Sequence, residues 1–127
     1  MLALTMFLPA CAEPAPQVRA RSPAALAVSA AVAEQVRRCY RAPRVPSAGR
    51  NIVTRLYARY TADGILVGFP LLVSQQGLTS EGRPYAGRMA EAAKQAVLRC
   101  SPVRLPPQTG KGRASEFFLT FSPRRSA

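Results

Sequence analysis

Two cysteines in matching surroundings limit what this chain can fold into more than any other feature. The run QVRRCYRAP reaches Cys39 and the run AVLRCSPVRLP reaches Cys100, and in both an arginine precedes the cysteine and prolines follow it. Because proline cannot continue a helix, each cysteine falls at the end of a helix-like segment. The pattern predicts a disulfide that ties two helix ends together, and two separate buried thiols are the alternative.

The first dozen residues, MLALTMFLPACA, favour the disulfide because they indicate export. An apolar run of about 11 residues is too short to span a bilayer and suits the hydrophobic part of a signal peptide. Cleavage at Ala10-Cys11-Ala12 would remove Cys11, whereas reading Leu8 to Cys11 as a lipobox would make Cys11 the site of lipid attachment. A buried N-terminal segment is the alternative. Either form of export leaves Cys39 and Cys100 to pair in an oxidising periplasm.

The charge balance predicts an anionic partner or surface. Lysine and arginine number 18 against 6 acidic residues, for a formal net charge of +12. Nucleic acid, acidic lipid, lipopolysaccharide and an acidic protein are all compatible with that excess.

The residues that could carry chemistry are few and scattered, which predicts a protein that is not an enzyme and holds no cofactor or metal. Histidine is absent, the single aspartate stands in a predicted turn, and Glu34, Glu91 and Glu116 fall on separate elements. No nucleophile has a candidate base beside it, and no glycine-rich phosphate loop is present.

Five periodic segments follow one another in the order helix, strand, strand, helix, strand. They cover residues 24–40, 51–60, 65–73, 85–100 and 114–121. Asp63-Gly64 predicts a hairpin between the first two strands, and Pro70 predicts that the second strand lies at a sheet edge or carries a bulge.

This order predicts an α+β fold with a three-stranded antiparallel sheet in the order 2-1-3 and two helices on one face. The last strand would then have one unpaired edge. The domain boundaries follow from the same segments: a signal at 1–12, a tether at 13–21, the domain at 22–123 and a tail at 124–127.

Taken together, these residues resemble the C-terminal domain of TolA, from the Tol-Pal cell envelope system, and the TonB C-terminal domain is similar in fold. The resemblance runs from about Val28 to Pro123. It depends on the motifs Arg38-Cys39-Tyr40 with Pro43, Asp63-Gly64, Ala93 with Ala96 to Cys100, Pro102, Leu105-Pro106, and Leu119 to Pro123.

The resemblance implies a periplasmic adaptor that binds TolB-like or Pal-like envelope proteins by accepting a partner strand at its sheet edge. It places the bridge on Cys39 and Cys100. The docking edge would consist of Ser115, Glu116, Phe117, Phe118, Leu119, Thr120 and Phe121. No predicted membrane span precedes the first helix, so we expect a free-standing relative without its own motor-coupling helix.

Two other functions remain open at this stage. One is a TonB-like energy-transducer C-terminal domain. The other is a basic domain for an anionic surface, with Arg55 and Arg59 on the open sheet face as its candidate residues. Nucleic acid is the less favoured version of that surface, because export and a cysteine pair argue against it, although Tyr57 between the two arginines suits base stacking.

Overall fold

The computed structural model of the protein describes residues 22–106 and 114–123. The predicted signal at 1–12, which includes Cys11, the tether at 13–21 and the tail at 124–127 lie outside the described residues. The main elements are α1 (Pro23–Arg38), β1 (Val53–Tyr60), β2 (Leu71–Gln76), α2 (Ala86–Arg99) and β3 (Ser115–Phe121).

The predicted fold class is confirmed. The three strands form one antiparallel sheet in the order β2-β1-β3. Side chains from both helices pack against the same face of β1 and β3 and form a single core. The core residues on these four elements are Val32 and Val36 of α1, Ala93, Ala96 and Val97 of α2, Leu56, Ala58 and Tyr60 of β1, and Phe117, Leu119 and Phe121 of β3.

Helix α1 starts one residue before the segment predicted at 24–40. The hydroxyl of Ser22 accepts a hydrogen bond from the amide of Ala25 at 3.2 Å, and Pro23 occupies the first helical position. The Ser22 hydroxyl satisfies a first-turn amide that has no intrahelical acceptor, and Pro23 has no amide to satisfy. The helix ends at Arg38, and Cys39 is its C-terminal cap residue.

The disulfide predicted from the two helix ends is present. Cys39 and Cys100 are bonded, with their Cα atoms 5.9 Å apart, and each is the residue that caps its helix. The side-chain amide of Gln35 holds the same region together: it donates to the carbonyl of Arg104 at 2.9 Å and accepts from the Arg104 amide at 2.7 Å. The segment after α2 is therefore attached to α1 by one covalent bond and one two-point hydrogen-bonded contact.

Strand β2 differs from its prediction. The chain pairs with β1 after the hairpin, where the Val67 amide donates to the Arg59 carbonyl at 2.8 Å. It then leaves the sheet at Gly68, whose φ is +70°, and rejoins it only at Leu71. A left-handed glycine followed closely by a proline, which has no amide donor, explains the interruption. The strand predicted at 65–73 is thus two short paired stretches separated by an excursion.

The residues at 74–76, which lie beyond the second strand predicted at 65–73, belong to β2. Gln75 explains their inclusion, because its side-chain amide donates to the Thr54 hydroxyl at 3.2 Å and to the Ala86 carbonyl at 2.8 Å. A register shift lies beside Leu72, so β2 is the bulged edge strand that Pro70 predicts.

Candidate functional site

Strand β3 combines a buried face with an open edge. Its residues Phe117, Leu119 and Phe121 are buried under the helices, whereas Glu116 and Thr120 are exposed on the other face. Along its inner edge β3 pairs with β1 without interruption, from Tyr60 opposite Ser115 to Thr54 opposite Phe121. No strand among the described residues pairs with its outer edge. All seven residues predicted from the sequence as a docking edge therefore lie on one regular edge strand.

The two edges of the sheet are not equivalent as templates for another strand. Strand β2 contains a register shift and follows an excursion with a proline, whereas β3 has an unbroken register. Bulges and prolines are devices that make an edge a poor partner for strand pairing. Of the two, β3 is the edge that presents a continuous row of backbone donors and acceptors.

The open face of the sheet carries an aromatic and cationic cluster. The Tyr57 and Phe118 rings are 5.6 Å apart between centroids, and the Arg55 guanidinium lies 4.6 Å from the centre of the Phe118 ring. That distance is within the range of a cation–π interaction. Phe118 remains 40 % exposed, so one side of the cluster is accessible from solvent.

The two arginines predicted as an anionic-surface site have different neighbours. Arg55 packs on Phe118, whereas Arg59 stands opposite Glu116 across the β1–β3 pair. The Glu116 carboxylate also accepts a hydrogen bond from Tyr57, and this raises the pKa of the Tyr57 phenol. One acidic side chain therefore lies within the basic face, so Arg55 and Arg59 do not form a uniform stripe of positive charge.

A third surface was missed by reasoning from the sequence. Residues 65–73, which we call the apolar arm, expose Ile65, Val67, Phe69, Leu71, Leu72 and Val73. Phe69 stands at the excursion between the paired stretches and is 82 % exposed. The charge pattern could have revealed this surface, because residues 64 to 80 contain no charged side chain, which is unusual in a chain this basic.

The acidic residues do not converge on a metal or catalytic site in the part of the chain that the structure describes. Glu34 pairs with Arg37 at 3.2 Å and Glu91 accepts a hydrogen bond from Gln95, both on helix surfaces. Within residues 22–106 and 114–123, no cluster of three or more cysteine and acidic side chains could hold a metal ion.

The domain is thus an α+β domain with a disulfide between its helix ends, one regular open edge and one exposed apolar arm. No protein-family model, curated protein or solved structure matches the chain significantly. None of the helices in the described ranges is long and apolar enough to cross a membrane.

Proposed function

We propose that the chain is a periplasmic protein-binding domain of the TolA and TonB C-terminal type, which docks envelope partners by strand addition along the outer edge of β3. The observation that carries the proposal is the uninterrupted seven-residue register of β3 beside an open edge. An added strand draws its affinity from main-chain hydrogen bonds, and these require a straight template. The Cys39–Cys100 disulfide supports an oxidising compartment, as the N-terminal sequence predicts.

The side chains beside the edge suit specificity more than affinity. Phe118 and Glu116 project onto the open face next to the position that an added strand would take. A partner strand would place alternate side chains against Phe118, where an apolar or aromatic residue would gain most from contact. The buried residues of β3 would stay in the core and keep the edge straight.

Amide hydrogen exchange of the labelled full chain tests the proposal, with purified TolB and Pal from the same envelope as probes. We expect alternate amides of β3 to exchange quickly in the free protein, because only every second amide points to the outer edge. Those amides should become protected when a partner binds, and amides of β2 should not. Protection at β2 alone, or at helix surfaces alone, would refute the proposed edge.

Substitution by proline provides the matched functional test. The exchange data show whether the amide of residue 118 or that of residue 119 points outward, and proline belongs at that position because it removes the donor. Phe118→Leu is the control, since it keeps the donor. We expect the folded proline variant to lose most binding and Phe118→Leu to keep most of it.

A second candidate function rests on the cluster of Tyr57, Phe118 and Arg55. Exposed aromatics next to arginines on a sheet can stack single-stranded bases, and such binding weakens steeply with salt. Titration with an unstructured oligonucleotide at two salt concentrations distinguishes it. Salt-sensitive binding that Phe118→Leu weakens would favour this function over strand addition.

A further inference from the structure

The apolar arm is exposed to a degree that folding alone does not explain. Of the ten large hydrophobic side chains exposed among the described residues, seven fall between residues 65 and 78. Single exposed apolar residues are ordinary on protein surfaces, but a contiguous group marks an interaction site or a membrane contact. The arm is separate from the β3 edge, because it lies on the opposite side of β1 from β3, and its Leu71 borders Tyr57 of the cluster around Phe118.

The arm exposes apolar side chains on both faces of the sheet. Leu71 stands opposite Tyr57 on the open face, and Leu72 stands opposite Leu56 on the helix face. Their exposed fractions are 58 % and 44 %, so neither face is covered. A protein surface lying on one face would leave the other in water. A lipid bilayer can contact an edge of a sheet on both faces.

Charge separates the bilayer from a second copy of the chain. The Arg59 carbonyl accepts a hydrogen bond from the Val67 amide, and Arg55 stands opposite Ser74, just after the arm. Glu116 stands opposite Arg59 on the far side of β1, and residues 64 to 80, which include the arm, carry no acidic side chain. With a net charge of +12 on each chain, self-association through this arm would bring like charges together, whereas an anionic surface would attract them.

We propose that the apolar arm inserts into the interfacial region of an anionic lipid bilayer. Phe69 enters furthest, and Arg55 and Arg59 lie at the level of the lipid phosphates. Insertion is limited to side chains, because the outer edge of β2 has backbone groups that must stay hydrated. An element lying in the interface reaches about 5–10 Å into the headgroup region, which is enough for the side chains of the arm. The β3 edge remains free for a protein partner in this arrangement.

Single tryptophans report insertion directly, because the native chain has none. Phe69→Trp places the reporter at the tip of the arm, and Leu26→Trp places it on an exposed position of α1. The probes are phosphatidylcholine vesicles with and without phosphatidylglycerol, some carrying brominated acyl chains. We expect Trp emission at position 69 to shift to shorter wavelength and to be quenched by bromine in the anionic vesicles. The reporter at position 26 should show neither change.

Sedimentation with vesicles measures the contributions of the side chains in the full chain. Phe69→Ser should weaken binding to anionic vesicles about tenfold or more, the expected effect of losing one inserted phenylalanine. Arg55→Gln and Arg59→Gln should each weaken it roughly fivefold at low salt. Leu26→Ser should bind like the wild type. Circular dichroism and melting curves confirm that each variant is folded.

Three results would overturn the proposal. The first is a wild-type chain that does not bind anionic vesicles. The second is a reporter at position 69 that stays unquenched while the protein is bound, which would mean attachment through another segment. The third is a concentration-dependent dimer in sedimentation equilibrium that Phe69→Ser dissociates, which would make the arm a self-association surface. None of these results concerns β3, so the strand-addition proposal is tested independently.

Discussion

Breaking the disulfide between Cys39 and Cys100 should lower the melting temperature of the domain by about 20 °C. The bonded residues are 61 positions apart. In the chain-entropy model, a disulfide that closes a loop of that length in the unfolded chain raises the free energy of unfolding by about 4 kcal/mol. A domain of about 100 residues has an unfolding entropy of about 0.2 kcal/mol per kelvin near its midpoint, and the ratio of the two values is the predicted shift.

The folded structure should survive the loss of the bond. The Gln35 side chain holds Arg104 by two hydrogen bonds in the same region, and both cysteines pack against the core. The effect should therefore arise mainly in the unfolded chain, and the double variant Cys39→Ala, Cys100→Ala should keep the amide spectrum of the wild type at low temperature.

Thermal melts followed by circular dichroism, with and without a phosphine reductant, measure the shift. The double alanine variant is the control, because it has lost both thiols of the bridge and reductant should not change its melting temperature. Mass spectrometry confirms that the wild type is reduced. A fully reduced wild type that melts within about 5 °C of the oxidised protein would refute the loop-entropy argument.

Three further predictions concern the packing of the domain. Gly64→Ala should lower the free energy of unfolding in urea by about 2 kcal/mol, because Gly64 has a φ of +81° and an added Cβ would overlap the carbonyl of Val103. Gly87→Ala is the control: Gly87 lies within α2 with open space around it, so this change should be neutral or stabilising. Tyr60→Phe should change stability at neutral pH by less than about 1 kcal/mol, because its buried hydroxyl has no hydrogen-bond partner in the described ranges. Burial also raises the pKa of Tyr60 to about 12. The neutral phenol therefore stabilises the fold fully below about pH 10, and this stabilisation is lost as the pH rises towards 12. The wild type should lose more stability than Tyr60→Phe across that window. Gln35→Ala should cost about 1–2 kcal/mol in the same assay, against a much smaller change for Gln95→Ala on the surface of α2. Three outcomes would contradict this packing. They are a Gly64→Ala variant as stable as Gly87→Ala, a Tyr60→Phe variant with the alkaline stability profile of the wild type, and equal effects of the two glutamine variants.

The candidate site could be predicted only in part. The alternation of Phe117, Leu119 and Phe121 predicts a half-buried strand, and its place at the edge follows from the order of elements. The aromatic and cationic cluster could not be predicted in the same way, because Phe118 of β3 contacts Arg55 and Tyr57 of the neighbouring strand β1. That contact depends on the register between β1 and β3, which no local pattern contains.

Features that depend on local rules could be predicted from the residues alone. Helical periodicity and the prolines after each cysteine act over a few residues, and so the helices and their C-terminal ends could be placed. The pairing of Cys39 with Cys100 could also be read, because matching helix ends and a predicted oxidising compartment leave few other partners. The position of the second strand and the side chains that it exposes depend instead on contacts between distant parts of the chain. An apolar run such as 65–73 predicts a buried strand by composition, but burial requires a covering element. Gly68 and Pro70 turn the run out of the sheet, and the helices leave six of its apolar side chains exposed.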